Sequence, residues 1–80
     1  MPHKSVIKHS LTLHQSRQMG CVTVTEYADL HELMTDIMMA ADEYCAPTGW
    51  DMMDLQLFPI TVGGNTRWSG NLCFIFDKDL

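Results

Sequence analysis

Histidine, cysteine and acidic side chains are the residues of this chain that could perform chemistry. The four histidines are separated in the sequence: His3, His9, His14 and His31. No two of them have the HxH or HxxxH spacing that places metal ligands on one face of a strand or helix. The three cysteines are also separated and form no CxxC pair: Cys21, Cys45 and Cys73. The sequence therefore predicts no metal site, no cofactor, and thiols that stay reduced.

The sequence also lacks a recognisable arrangement of catalytic groups. A nucleophilic cysteine needs a neighbouring base or a local positive field, and the neighbours of these cysteines are apolar or acidic. Acidic residues are paired in three polar segments typical of solvent-exposed faces: Asp42 with Glu43, Asp51 with Asp54, and Asp77 with Asp79. The glycines of VGGNT lack the spacing of a phosphate-binding loop and predict a hairpin turn. We therefore predict that the protein is not an enzyme.

Length and charge limit the class of protein. The chain has 80 residues, 46% hydrophobic and 19% charged, which predicts one small globular domain over residues 1–80. Ten acidic residues oppose five basic ones, and the net charge of -5 disfavours direct nucleic-acid binding. It favours a protein partner with a basic or mixed surface. The sequence lacks a signal-peptide pattern and the roughly 20 apolar residues of a membrane span, so we expect a cytoplasmic protein with no membrane partner.

The first half of the chain begins with two predicted strands. SVIKHSLTLHQ alternates, with four residues on the side expected to face the core: Ile7, His9, Leu11 and Leu13. SRQMG connects it to CVTVTEY, which places Val22 and Val24 on one face. Gly20 is available for a positive φ in this connection. The two segments are expected to form a hairpin.

From Asp29 the apolar period changes to 3.6 residues, which predicts a helix over about residues 29 to 46. Its apolar stripe is long: Leu30, Leu33, Met34, Ile37, Met38, Ala41, Tyr44 and Cys45. Asp29 followed by Glu32 resembles a capping box at the start of the helix. Pro47 and Gly49 are expected to end it, because the residue before a proline avoids the helical region and glycine tolerates a left-handed conformation.

Two further strands follow the helix. MMDLQLFPITV contains Pro59, which cannot donate a hydrogen bond, so this strand is expected at a sheet edge or with a bulge at the proline. GGNT makes the next turn. RWSGNLCFIF then alternates with four residues inward: Trp68, Leu72, Phe74 and Phe76. Because Cys73 and Ile75 make its other face apolar as well, this last strand is expected in the middle of the sheet.

The element order is strand, strand, helix, strand, strand, which predicts an α+β fold with one helix packed on a four-stranded sheet. A right-handed crossover through the helix favours a mixed sheet in which the first and last strands are central and parallel. In element order this resembles the β-grasp arrangement of ubiquitin and the protein G domains, without a shared motif. An all-antiparallel sheet is the alternative. The expected core packs the helix on the sheet: Leu33, Ile37 and Ala41 on Leu11, Val22, Leu57, Phe74 and Phe76.

Two methionine doublets flank the end of the helix. Met38 lies on the apolar stripe, whereas Met39 falls among acidic residues on another face. In the following strand, Met53 shares the phase of the leucines and Met52 that of the polar residues. Each doublet is therefore expected to have one buried and one exposed side chain. Exposed methionines surrounded by charge are typical of adaptable interfaces.

The exposed residues form the predicted partner-binding set: Asp29, Glu32, Asp36, Met39, Glu43, Trp50 and Met52. Their acids would orient a basic partner, and as exposed charges Asp36 and Glu43 are expected to add little to stability. We therefore expect a small non-enzymatic protein-interaction module, of a size common among accessory and inhibitor proteins of mobile elements. A homodimer that pairs exposed strand edges belongs to the same class. The competing hypothesis is a small-ligand or enzyme-accessory domain with an aromatic pocket: Tyr44, Trp50 and Trp68.

Overall fold

The computed structural model of the protein describes residues 3–14, 17–46 and 48–77, with the side chains of residues 8–14 outside this description. It contains four strands and one helix: β1 His3–His14, β2 Arg17–Tyr27, α1 Leu30–Cys45, β3 Asp51–Val62 and β4 Asn65–Asp77. The predicted element order and the α+β class are therefore confirmed. No helix in the described part of the chain is long and apolar enough to span a membrane.

The four strands form one sheet in the order β1-β2-β4-β3, and every neighbouring pair is antiparallel. The all-antiparallel alternative is correct, and the preferred β-grasp-like mixed sheet, with the first and last strands central and parallel, was wrong. The reason lies in β1, where Lys4, Lys8 and the histidines suit an edge rather than the centre of a sheet. β2 takes the central place beside β4, and the crossover through α1 joins β2 to β3.

Helix α1 lies over the middle of the sheet, against β1, β2 and β4 rather than over β3. The largest fully buried side chains come from the helix and the two central strands: Phe74, Leu33, Ile37, Leu72, Val22 and Val24. The core prediction is confirmed for six residues, all of them buried: Leu33, Ile37, Ala41, Val22, Phe74 and Phe76. It was wrong for Leu57, which lies on the edge strand and is exposed. The Leu11 side chain falls outside the description.

Gly20 lies inside β2 and not in the connection where a positive φ was expected. A Cβ atom at this position would lie 2.6 Å from Cζ and 2.8 Å from Cε2 of Phe74. The missing side chain therefore lets the buried Phe74 ring lie directly on the backbone of the neighbouring strand. This close approach, rather than backbone freedom, is the reason for glycine here.

The inward face of β1 differs from the prediction. Val6 packs against the core, whereas Ile7 is 52% exposed and points to the opposite face of the sheet. The pairing with β2 becomes irregular after Lys8, so the alternation read from the sequence does not continue through the strand. The remaining residues of the predicted inward row have side chains outside the description: His9, Leu11 and Leu13.

The helix begins and ends one residue inside the expected range, with Asp29 as its N-cap. The Asp29 carboxylate accepts a hydrogen bond of 2.9 Å from the backbone N–H of His31, which satisfies a free donor of the first turn. Ala46 follows the last helical residue in an extended conformation, and Gly49 has a φ of 86°. Pro47, which was predicted to end the helix, lies outside the described residues.

Strand β3 is an edge strand, as Pro59 predicted. It pairs with β4 alone, through a two-residue turn at 63–64 in which both glycines have a positive φ. The bulge lies at Met53 rather than at the proline, because the register shifts between Met52 and Asp54. No other strand among the described residues pairs with the second side of β3.

Candidate protein-binding surfaces

The outer face of α1 carries three exposed residues of the predicted partner-binding set. Glu32 and Glu43 are exposed, and Met39 is 49% exposed. We call these three residues the acidic face. Helix α1 has no lysine or arginine, so the two carboxylates have no basic neighbour on their own helix. The face is suited to a basic partner, with Met39 as an adaptable apolar contact.

Two acids of the predicted set are occupied within the protein. Asp29 caps the helix. Oδ2 of Asp36 accepts a hydrogen bond of 2.6 Å from the hydroxyl of Tyr27, which is only 3% exposed. Burial and this carboxylate raise the pKa of Tyr27 to about 12. Asp36 therefore joins α1 to β2, and it is a structural residue more than a free docking acid.

Trp50 also makes internal contacts. Its indole N–H donates a hydrogen bond of 2.8 Å to Oδ1 of Asp42 near the end of α1. Its ring contacts Phe74 edge-on, with 5.9 Å between the ring centroids. Trp50 therefore fixes the start of β3 against the helix and the core, and only part of its surface remains for a partner.

The aromatic residues of the competing hypothesis lie in two places. Tyr44 packs edge-on against Phe74, the ring that Trp50 also contacts. Trp68 lies six residues before Phe74 on the same strand, a separation of roughly 20 Å. The structure therefore brings Tyr44 and Trp50 to one ring but does not bring Trp68 to them.

A groove with a volume of about 340 Å³ lies between α1 and β1. Its lining is mixed: Lys4, Ser5, Val6, Ala40, Glu43 and Tyr44. Tyr44 is the member of the aromatic set that reaches it, and neither tryptophan lines it. The groove therefore does not assemble the pocket that the competing hypothesis requires.

The three cysteines are free thiols, and two of them face each other across neighbouring strands. Sγ of Cys21 and Sγ of Cys73 are 2.9 Å apart. Burial raises the pKa of Cys21 to about 11 and the pKa of Cys45 to about 11, so both thiols are weak nucleophiles at neutral pH. Among the described residues, no group of three or more His, Cys, Asp or Glu side chains could hold a metal ion.

Both methionines of the second doublet are exposed, Met52 at 49% and Met53 at 46%. The prediction that Met53 is buried was wrong, because the bulge adds a residue to β3 and breaks the alternation. Met52 pairs with Phe74 and thus lies on the helix side of the sheet. In the first doublet the expected division is confirmed, since Met38 packs against the core and Met39 is exposed.

Strand β3 carries most of the large apolar side chains that are exposed in the described part of the chain. We call these six residues the β3 surface: Met52, Met53, Leu57, Phe58, Ile60 and Val62. Their exposed fractions range from 36% to 68%. They lie on both faces of the strand, with Leu57 on the helix side and Phe58 and Ile60 on the other. Of this surface, the partner-binding set identified from the sequence contained only Met52.

The geometry of the sheet explains this exposure. In the part of the chain that the structure describes, β3 has a neighbouring strand on one side only, and α1 lies over the other strands. β2 pairs with β4 only as far as Trp68, so the end of the hairpin, residues 60–67, extends as a two-stranded arm. The sequence did contain a signal. A strand that is apolar on both faces is typical of a buried position in a sheet, and Pro59 instead places this strand at an edge.

Charged residues flank the β3 surface. Asp51 is ion-paired, with its Oδ2 2.8 Å from Nη2 of Arg17. Asp54 lies on the same face of β3 as Ile60, and Arg67 lies opposite Ile60 on β4. Neither Asp54 nor Arg67 has an ion-pair partner among the described residues. The surface thus has an uncompensated acid towards one end and an uncompensated base towards the other.

No protein-family model matches the chain, and comparisons with curated proteins and with solved structures found no match. Among the described residues, the β3 surface holds most of the large apolar side chains that are exposed.

Proposed function

We propose that this protein is a non-enzymatic protein-interaction module that docks through the β3 surface. One observation carries the proposal: an edge strand of 12 residues exposes six large apolar side chains on its two faces. Large apolar side chains that are exposed together in this way often mark a protein-binding site, whereas scattered single ones are ordinary surface residues. The fold does not explain these side chains, because the buried core consists of other residues.

The backbone of β3 supports the same function. An edge strand has alternate N–H and C=O groups that pair with no neighbour, and a partner strand can satisfy them. Val62 and Asn65 flank a two-residue turn and form a hydrogen-bonded pair, so the backbone groups of Val62 point towards β4. The direction alternates along the strand, so every second residue, beginning with the one before Val62, points its backbone groups away from β4. Pro59 is one of these outward residues, and its missing N–H costs no hydrogen bond within the sheet.

The acidic face is a second surface for the same function, directed at a basic partner. Its support is the exposure of Glu32, Met39 and Glu43 on a helix without lysine or arginine, in a chain with a net charge of -5. A cytoplasmic location and a role beside a mobile element are further proposals, and they rest on sequence pattern and size alone.

Affinity capture from the native host lysate tests the β3 surface. Every captured protein is scored, and other copies of this chain are included. Ile60→Thr should reduce capture about tenfold or more, because it removes the apolar contact that lies between Phe58 and Val62 on one face of β3. Ile7→Thr is a matched control, since Ile7 is 52% exposed on β1 and Ile60 is 55% exposed on β3.

The two variants give distinguishable outcomes. Both should show the far-UV circular dichroism of the wild type, because neither isoleucine belongs to the core. Equal capture by the wild type and Ile60→Thr would refute the β3 surface as the docking site. Equal losses in both variants would also contradict the proposal, because they would indicate unspecific adhesion of exposed apolar side chains.

A further inference from the structure

We infer that the occupant of the β3 surface is a second copy of this chain, whose β3 pairs antiparallel with the first and joins two four-stranded sheets into one of eight strands. This inference rests on the proposed function, because it names the partner of the same surface. Two identical strands that pair antiparallel in this way are related by a two-fold axis, so each copy buries the same residues. The apolar side chains of the two β3 strands then lie side by side along the shared edge.

The charges beside the β3 surface favour a second copy in this arrangement. Pairing centred on Leu57 places Asp54 of one copy opposite Ile60 of the other. In each copy Ile60 pairs with Arg67 of the same hairpin, so Asp54 of one copy, Ile60 of the other and that other copy's Arg67 lie in one row across the strands. The backbones at Asp54 and Arg67 of different copies are then two strand spacings apart, roughly 10 Å, which the two side chains can span. The two-fold axis repeats this pair, so both uncompensated charges of each copy are neutralised.

The backbone of β3 agrees with the same register. Leu55 and Leu57 lie seven and five positions before Val62. Because backbone groups alternate in direction along a strand and those of Val62 point to β4, the N–H and C=O groups of Leu55 and Leu57 point towards the second copy. Leu57 then pairs with the Leu57 of the other copy on the axis. Pro59 faces Leu55, and one hydrogen bond is absent on each side of the axis while the neighbouring outward groups are paired.

The apolar area available on β3 is comparable with the area that a stable dimer buries. About half of the surface of these residues is exposed, which corresponds to roughly 500–600 Å² per copy. The two copies together therefore hold roughly 1,000–1,200 Å² of exposed apolar surface on these side chains, which is the upper limit of what lateral pairing can bury before the backbone and charged groups are added. Biological interfaces bury at least about 1,000 Å² in total, and stable ones about 1,200–2,000 Å².

The opposite edge of the sheet is not suited to this pairing. β1 contains Lys4 and Lys8, and its pairing with β2 is irregular after Lys8. Lysines and irregular pairing are the usual protection of an edge strand against further pairing. β3, in contrast, pairs regularly from Asp54 to Val62. The dimer therefore forms through β3, with β1 as its outer edge.

Analytical ultracentrifugation of the purified chain over a range of concentrations tests the inference. We expect a monomer–dimer equilibrium for the wild type. Ile60→Glu should raise the dissociation constant about tenfold or more, because it places a second acid directly opposite Asp54 of the other copy. Ile7→Glu is the matched control on β1 and should dimerise like the wild type. Far-UV circular dichroism checks that both variants are folded.

Charge reversal is a second test that does not put folding at risk, because Asp54 and Arg67 are exposed. Asp54→Arg alone and Arg67→Asp alone should each raise the dissociation constant about three- to tenfold at low salt. The double variant should return to within about twofold of the wild type, because it restores opposite charges in each row. A double variant as weak as the single ones would show that this antiparallel register is wrong.

The outcomes separate the inference from the proposed function. A wild type that stays monomeric at every concentration, or an Ile60→Glu variant as dimeric as the wild type, would overturn the second-copy inference. If the chain is monomeric and captures a different protein through Ile60, the docking function stands and the occupant is wrong. If the chain is monomeric and Ile60→Thr captures everything that the wild type captures, both are wrong.

Discussion

Asp36→Ala should destabilise the protein, although an acid on a docking surface would contribute little to folding. Asp36 accepts the hydrogen bond of the Tyr27 hydroxyl at 2.6 Å, and Tyr27 is buried. Removal of the carboxylate leaves a buried donor without its partner, which costs about 1–3 kcal/mol. In a domain of this size each kcal/mol lowers Tm by roughly 4–8 °C, so the expected fall in Tm is at least about 4 °C.

Urea denaturation followed by circular dichroism measures the free energy of unfolding. Tyr27→Phe removes the donor instead of the acceptor, so Asp36→Ala should cost about 1–2 kcal/mol less on that background than in the wild type. Glu43→Ala is the matched control on the acidic face. Because Glu43 is exposed, its removal should change the free energy of unfolding by less than about 0.5 kcal/mol.

Titration of the phenol groups gives an independent check on the same contact. Tyr27 has a pKa of about 12, because burial and the Asp36 carboxylate both disfavour the phenolate. Asp36→Ala should lower this pKa only part of the way towards 10, since burial is the larger cause. An unchanged free energy of unfolding together with an unchanged pKa would refute the structural role of Asp36. Asp36 would then again be a candidate partner-binding residue.

Four further predictions concern the core, the thiols and the acidic face. Ile37→Ala should cost about 2–4 kcal/mol in urea denaturation, because Ile37 is fully buried, and a loss below about 0.5 kcal/mol would contradict the helical phase. Gly20→Ala should cost about 1–3 kcal/mol, because its Cβ would lie 2.6 Å from the Phe74 ring, and Phe74→Leu should relieve part of that cost. Burial raises the pKa of Cys45 from 9.0 to about 11, so its contribution to stability is full below pH 9 and is lost as the pH rises through 11. In urea denaturation, the decrease in the free energy of unfolding over this pH range should be smaller for Cys45→Ala than for the wild type. Glu43→Lys should slow association with a basic partner at low salt and have little effect at high salt, and an effect independent of salt would contradict an electrostatic role.

The helix was predicted almost to the residue because its signals are local. The 3.6-residue period and the N-cap act within a few residues, and Leu33, Ile37 and Ala41 are all buried as the period requires. The candidate site was harder to predict, because it depends on contacts between distant residues. Asp36 belongs to the surface pattern of the helix, and only the approach of Tyr27 from β2 occupies it.

The strand order could have been predicted by combining two edge signals. Lys4 and Lys8 mark the first strand as an edge, and Pro59 marks the third. With one hairpin on each side of the helix, β2 and β4 are then left as the central pair, which is the observed order. The crossover through α1 joins β2 to β3 with β4 between them, so it does not make the first and last strands neighbours.

The exposure of Met53 could not have been predicted from alternation. A bulge adds one residue to a strand, and from that point every side chain changes face relative to the pattern before it. The shift lies between Met52 and Asp54, so these two residues point to opposite faces although they are two positions apart. Apolar residues lie on both sides of this point, and the hydrophobic pattern therefore fits the strand with or without the bulge.

Pairing through β3 also determines how many copies would assemble. A sheet that grows by edge pairing stops when its free edges are unable to accept another strand. In the eight-stranded dimer both free edges are β1, with Lys4, Lys8 and irregular pairing after Lys8. On β3, Pro59 and the bulge at Met53 restrict the registers in which a second strand forms most of its hydrogen bonds. One edge that pairs in a restricted register and one that resists pairing lead to a closed dimer rather than an open fibre.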